Sequence, residues 1–352
     1  MPLYNKINSK VLKEKIAEDS RPRTTISFYR YHQIADPYLF RDELYKKLES
    51  IDVLGRVYVA REGINAQVSI LKASLEQFRA ALESYHFMKG VRLNVAVDDD
   101  GKSFFKLKIK VRPKILADGL EDQTFDVTKK GKHLSAEEFN ALTANEQNTL
   151  LIDMRNHYET EVGHFEGAIC PDVDTFRDSL PLIENEILKG NEDKNIVMYC
   201  TGGIRCEKAS AYFKHKGFKN VFQLEGGIIK YAQDAIKNGL ENRFVGKNFV
   251  FDERLGERIS PEIIANCHQC GKPCDTHTNC KNDACHLLFI QCDECAEKYA
   301  GCCSAECHEI SLLPKEKQKE LRKGIDRGRQ VYKKGRVRPK LTEQFKKHLK
   351  HL

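Results

Sequence analysis

The segment from Ile196 to Ala209 constrains this chain more than any other. Ile196-Val197-Met198-Tyr199 is an apolar run of strand length; Cys200-Thr201-Gly202-Gly203 follows, and then Ile204-Arg205-Cys206-Glu207-Lys208-Ala209, a helix-like sequence. Strand, turn and helix in immediate succession belong to an α/β architecture, in which ligands sit beyond the carboxyl ends of the strands. Cys200 then lies at the mouth of a helix N-terminus, where unpaired backbone N–H groups stabilise a thiolate or an anion carried on the sulfur. Gly202 and Gly203 allow close backbone approach and positive φ, and Arg205 adds a fixed positive charge. A free cysteine after a strand is ordinarily core; the glycine loop and Arg205 favour a reactive thiol.

The same alternation extends to either side. Ser135–Thr143 reads as a helix with Ser135 at its N-cap and Glu138 three residues on. Leu150–Asp153 reads as a strand, Glu207–Lys216 as a helix, Val221–Leu224 as a strand and Ile228–Ile236 as a helix, giving a mostly parallel sheet. Upstream the order changes. Thr24–Tyr31, Val53–Ala60, Ile64–Ile70 and Val91–Val97 read as strands. Pro37–Glu49, capped by Asp36, and Ser74–Tyr85 read as helices. Strand-helix-strand-strand-helix-strand predicts a ferredoxin-like (acylphosphatase-like) α+β domain at residues 22–120. In the last strand of that domain Lys106, Lys108, Lys110, Arg112 and Lys114 alternate with Leu107, Ile109, Val111 and Pro113. Strand periodicity puts every one of those charges on one face, about 6.6 Å apart, close to the spacing of nucleic-acid phosphates. An edge strand that uses lysines against aggregation would show the same pattern.

Thirteen cysteines in a chain whose N-terminus, Met1-Pro2-Leu3-Tyr4-Asn5-Lys6, lacks an apolar signal core point to a reducing cytoplasm, and there to metal or catalysis before disulfides. No run approaches the ~18–20 apolar residues of a membrane span. Cys267-x2-Cys270 and Cys292-x2-Cys295 form two pairs suited to one tetrahedral, structural zinc. Cys274, Cys280, Cys285, Cys302, Cys303 and Cys307 remain; Cys280, Cys285, Cys303 and Cys307 are the candidate ligands of a second metal, although spacing alone does not choose among the six. Reduced cysteines or redox disulfides are the competing reading. The net charge of +7 is unevenly spread: residues 311–352 hold 15 of the 58 Lys and Arg against 4 of the 51 Asp and Glu, a net of +11, so the preceding residues net −4. Arg327, Arg329, Lys333, Lys334, Arg336 and Arg338 in this tail suit a phosphate backbone; a solubilising tail without a partner is the alternative.

The loop from Cys200 through Thr201, Gly202, Gly203 and Ile204 to Arg205 resembles the rhodanese active-site loop. Leu150-Leu151-Ile152-Asp153-Met154-Arg155 with Glu159, Gly163-His164-Phe165-Glu166-Gly167-Ala168, and Leu224-Glu225-Gly226-Gly227 resemble other rhodanese elements in the expected order, with Asp153 and Arg155 in a supporting role. Taken with Glu62-Gly63-Ile64-Asn65-Ala66 and the cysteine-rich end, the whole chain is similar to one bacterial family, the tRNA uridine(34) hydroxylases. The resemblance implies a ferredoxin-like domain (22–120), a rhodanese domain (129–240), a cysteine-rich zinc-binding region (241–310) and a basic tail (311–352). It also implies oxygen-dependent conversion of the wobble uridine to 5-hydroxyuridine, with tRNA as partner, molecular oxygen as co-substrate and Cys200 as the catalytic cysteine, either nucleophile or persulfide carrier. Neither a membrane nor DNA is an expected partner. Flavin and nicotinamide signatures are absent: Gly202-Gly203 is no dinucleotide fingerprint. A rhodanese-type sulfurtransferase and a non-catalytic RNA-binding module are the alternative functions. Cys206 reads as helix packing or as a resolving thiol.

Overall fold

The computed structural model describes residues 3, 5, 7–120, 125–324 and 331. Arg327, Arg329, Lys333, Lys334, Arg336 and Arg338 lie outside the described residues.

After α1 (Ser9–Glu18), the N-terminal domain comprises β1 (Arg23–Tyr31), α2 (Pro37–Glu49), β2 (Leu54–Ala60), β3 (Gly63–Leu71), α3 (Leu75–Glu83), β4 (Asn94–Val95) and β5 (Leu107–Val111). The Asp36 side chain accepts from the N–H groups of Tyr38 and Leu39, and Pro37 occupies the first turn, so α2 begins where the sequence places it. The strands lie in the order β4-β1-β3-β2-β5. The first four make the antiparallel ferredoxin-like sheet, and β5 adds a fifth strand parallel to β2. Ile26, Phe28, Val57, Val59, Ile64, Ala66 and Val68 are buried against Leu44, Leu48, Phe78 and Leu82 of the helices. The other face is polar. Strand register sets Lys108, Arg56, Gln67 and Ser27 in one row across it, and Lys110, Tyr58, Asn65 and Tyr29 in the next.

Two expectations are corrected here. The strand expected over Val91–Val97 pairs only at Asn94–Val95. Beyond it the Asp99 carboxylate, not a strand carbonyl, accepts the Thr25 N–H at 2.5 Å, so a side chain ends the ladder. The basic row also stops short of Lys114. Pro113 lies just past β5, and Lys114 turns to Asp118 at 2.7 Å.

In the central domain β6 (Lys132–Leu134), α4 (Ala136–Thr143), β7 (Thr149–Asp153), α5 (His157–Thr160), β8 (Gly163–Phe165), α6 (Phe176–Leu182), β9 (Asn195–Tyr199), α7 (Ile204–His215), β10 (Val221–Leu224) and α8 (Gly227–Asn238) follow. A capping box of Ser135 and Glu138 starts α4. The four-stranded sheet runs β6-β10-β9-β7, with every pair parallel. β8 leaves that sheet and pairs with β11 (Phe244–Asn248), which also carries β12 (Glu257–Arg258). The last region is a β13–β14 hairpin (His277–Asn279 and Leu288–Ile290) with α9 (Asp293–Lys298), α10 (Ala305–Leu312) and α11 (Lys315–Leu321). Its buried clusters contain seven cysteines beside Leu287, Phe289 and Ile290.

The N-terminal domain is locked to α7 by charge. Lys208, almost fully buried, reaches Glu62 at 2.7 Å and Asp118 at 3.2 Å, while Glu62 also accepts the Ile115 N–H at 2.8 Å. Glu62 sits in the β2–β3 turn, so the hairpin tip docks directly on the helix that follows Cys200. Replacing one member of a buried pair strands its partners' charge. Lys208→Met is therefore expected to destabilise the fold by about 3–5 kcal/mol, measured as a lower urea midpoint than that of the natural chain.

Candidate active site

Cys200 follows β9 directly, and the chain then turns through Thr201, Gly202 and Gly203 into α7. Gly203 takes φ +100°, and a Cβ there would stand 2.9 Å from the Tyr29 hydroxyl oxygen. Gly227 lies beneath the turn at φ +67°, where a Cβ would stand 2.4 Å from the Cys200 carbonyl oxygen. Both positions therefore require glycine, for backbone conformation and for space. The turn aims N–H groups at the sulfur: Gly203 N–H donates to Cys200 Sγ at 3.1 Å. Burial pushes the thiol up, but the hydrogen bond from Cys206, the Arg205 charge and the N–H groups of Cys206 and Arg205 outweigh it and bring Cys200 down to about 6. Cys206 moves the opposite way, raised by burial and by its hydrogen bond to Cys200. It is the proton donor of the pair as well as a core residue.

Arg205 is largely committed elsewhere. Its guanidinium makes a bidentate pair with Glu159, at 2.7 and 2.8 Å, and reaches Thr201 Oγ1 at 3.4 Å. It acts on Cys200 through its field, while Glu159 fixes where that charge sits. Asp153 and Arg155 form a fully buried pair at 2.6 Å at the end of β7. Arg155 also donates to the Gly163 carbonyl at 2.6 Å, so this pair ties β7 to β8.

Cys200, Thr201, Gly202, Ile204 and Arg205 border a cavity of about 690 Å³, a size suited to a nucleotide-scale ligand. Its walls come from all three regions: Ser27, Tyr29, Arg56, Tyr58, Asn65, Gln67 and Asn94 from the N-terminal sheet, Asn156 and Arg177 from the central domain, Phe251, Asp252, Arg254 and Glu257 from the last. Asn94 donates to the Gly202 carbonyl at 3.3 Å, and Asn65 to the Ile115 carbonyl at 3.2 Å. Both amides are thereby held in orientation facing the cavity. Glu257 is pushed up to about 7 by burial, against the pull of Arg254 at 2.7 Å. Sequence reasoning missed the sheet's polar face and Glu257; alternation in β2 and β3 marked the polar positions, but nothing local said what they would face.

The basic residues of β5 lead to this cavity. Lys108 and Arg112 are exposed and Lys110 is half-buried; Arg112 lies over the Tyr58 ring at 5.9 Å, and Lys106 donates to Ser9 at 3.0 Å. In the last region the sulfurs of Cys267, Cys270, Cys292 and Cys295 lie within 4.8 Å of one another, and so do those of Cys280, Cys285, Cys303 and Cys307. Cys270 and Cys292 are 3.6 Å apart, Cys285 and Cys303 3.7 Å, Cys303 and Cys307 3.6 Å. Four thiolates around one zinc at about 2.3 Å would be separated by about 3.8 Å, so each cluster can hold a metal ion. Cys274 and Cys302 belong to neither.

The thiol of Cys200 carries a direct prediction. Its value lies below its ordinary 9.0 when folded, so between about 6 and 9 the folded chain holds fewer protons than the unfolded one. The stability it contributes is complete above pH 9 and is lost as pH falls through 6. Thiolate absorbance of the natural chain minus that of Cys200→Ser is expected to titrate near pH 6, well below an ordinary thiol.

Three family models match in succession: a UPF0176 acylphosphatase-like domain over residues 23–115, a rhodanese-like domain over 135–234 and a rhodanase C-terminal domain over 245–308. The chain is 56% identical over 341 residues to a Sodalis glossinidius protein named tRNA uridine(34) hydroxylase, covering 97% of each chain. A Leptospira interrogans protein of the same name is 53% identical over 98% of this chain and 93% of its own. One from Escherichia coli is 56% identical over 97% of both. Among the described residues no helix is long and apolar enough to cross a membrane.

Proposed function

The chain belongs to the tRNA uridine(34) hydroxylase family, and from that membership we propose that it hydroxylates C5 of the wobble uridine of tRNA, with Cys200 as the nucleophile. One observation carries the role of Cys200: a sulfur that accepts the Gly203 N–H at 3.1 Å, its thiol lowered by Cys206 and the Arg205 charge, at the wall of a cavity with an oriented polar floor.

C5 of uracil is a poor partner for oxygen until it becomes electron-rich. Addition of the Cys200 thiolate forms an S–C6 bond and moves the C5–C6 π pair toward C5 and O4, a form of nucleophilic catalysis. Once oxygen is on C5, the C5–H proton leaves, its electron pair re-forms C5=C6 and the S–C6 bond breaks; the Gly203 N–H and the Arg205 field serve the departing thiolate. Molecular oxygen is the co-substrate. One of its atoms goes to C5, and the other leaves as water with two electrons and two protons from an external reductant, for which a small thiol is the simplest class. This makes the chain an oxidoreductase. Lys106, Lys108, Lys110 and Arg112, with the basic residues of the tail, supply charge for the tRNA backbone; Lys114 is spent on Asp118.

The experiment is nucleoside mass spectrometry of tRNA from cells lacking this protein, complemented with the natural chain or with Cys200→Ala. The natural chain restores 5-hydroxyuridine and Cys200→Ala does not. Persistence of the nucleoside in the deletion strain, with any parallel route removed, would sink the reading and turn attention to sulfur transfer.

The two cysteine clusters are read as structural zinc sites, because four thiolates leave no open coordination position for chemistry. Elemental analysis is expected to find two zinc ions per chain. Cys270→Ser and Cys303→Ser should each remove one of them and destabilise the last region while leaving the Cys200 titration near 6.

A further inference from the structure

A second groove adjoins the Cys200 cavity. It measures about 450 Å³, and its lining includes Arg56, Phe105, Lys106, Lys108 and Phe251. Arg56, Phe251 and Asp252 line both spaces, so the two lie side by side. Phe251 is 38% exposed, in a groove whose lining mixes Phe104, Phe105, Leu255 and Leu288 with the cations Arg56, Lys106 and Lys108. Its ring is held from behind: Phe249 meets it edge-on at 5.2 Å and is itself braced by Tyr158 at 5.4 Å and His277 at 5.0 Å. The groove's carboxylates are already matched. Asp252 pairs with Arg254 at 2.6 Å and Glu253 with Lys13 at 2.8 Å, so Arg56 and Lys108 face the groove with net positive charge. Register places those two side by side, in the row that ends beside the Cys200 loop.

A rigid, exposed aromatic face beside paired cations is the combination that binds single-stranded nucleic acid: bases stack on the ring and phosphates follow the charge. Presenting one base to an enclosed thiol also requires unstacking it from its neighbours, which exposes their faces. Resting on the hydroxylase reading above, we propose that this groove takes the nucleotide adjoining the target uridine, with its base against Phe251 and its phosphate on Arg56 and Lys108. Phe251 is thus a positioning residue: it holds the strand so that the uridine reaches Cys200.

An anticodon stem-loop carrying 2-aminopurine on the 5′ or the 3′ side of the target uridine tests this, because stacking quenches its fluorescence. Quenching by the natural chain is expected at one of the two positions. Phe251→Ala and Phe251→Leu should lose it and raise KM for the stem-loop roughly 10-fold, with kcat within about twofold; Phe251→Trp should keep both. Lys108→Ala should leave the quenching in place and reduce the salt dependence of binding by about one phosphate contact. A natural chain that hydroxylates this RNA but quenches at neither flank, or a Phe251→Ala chain with unchanged quenching and KM, overturns the inference alone. If the natural chain yields neither product nor quenching, the parent reading falls with it.

Discussion

Everything at this site depends on keeping one buried sulfur negative. Burial alone would drive the Cys200 thiol up, and it comes down to about 6 only because backbone N–H groups, Cys206 and the Arg205 charge converge on it. That convergence is a property of the turn. It needs Gly203 in a left-handed conformation beneath the Tyr29 hydroxyl, and Gly227 packed under the Cys200 carbonyl. A side chain at either position would push the loop off the sulfur, and the desolvation penalty would then be opposed less fully.

The charges around α7 serve placement more than stability. Arg205 with Glu159, and Lys208 with Glu62 and Asp118, are nearly or fully buried. Such pairs roughly break even against well-packed apolar groups, yet each has one geometry in which its hydrogen bonds close. The first fixes the positive charge beside Cys200. The second fixes the N-terminal sheet over the cavity, so the polar face of one domain becomes the floor of the other's site.

The last region solves a different problem. Its clusters are built largely from cysteine, with few large side chains to bury. Two groups of four sulfurs, each able to hold a metal ion, stand where that apolar area is lacking. Phe249, which backs the third wall of the cavity, packs in the same cluster as Cys267 and Cys295.

Local chemistry was legible in the sequence. Asp36-Pro37 marks the start of α2 and Ser135 with Glu138 that of α4, because capping is decided within four residues. The apolar run into Cys200-Thr201-Gly202-Gly203 marks a strand, a turn and a helix for the same reason. The brevity of β4 was not legible, since Asp99 intercepts the ladder from outside the strand; nor was the loss of Lys114 to Asp118. The alternation of β2, β3 and β5 tells which residues share a face, because a strand's period is local. Only the tertiary structure decided that this face looks onto Cys200, that Lys208 is buried against Glu62 from a different domain, and that Phe251 and Glu257 stand at the same cavity. Those facts arise from contacts between segments far apart in the sequence, which no periodicity encodes.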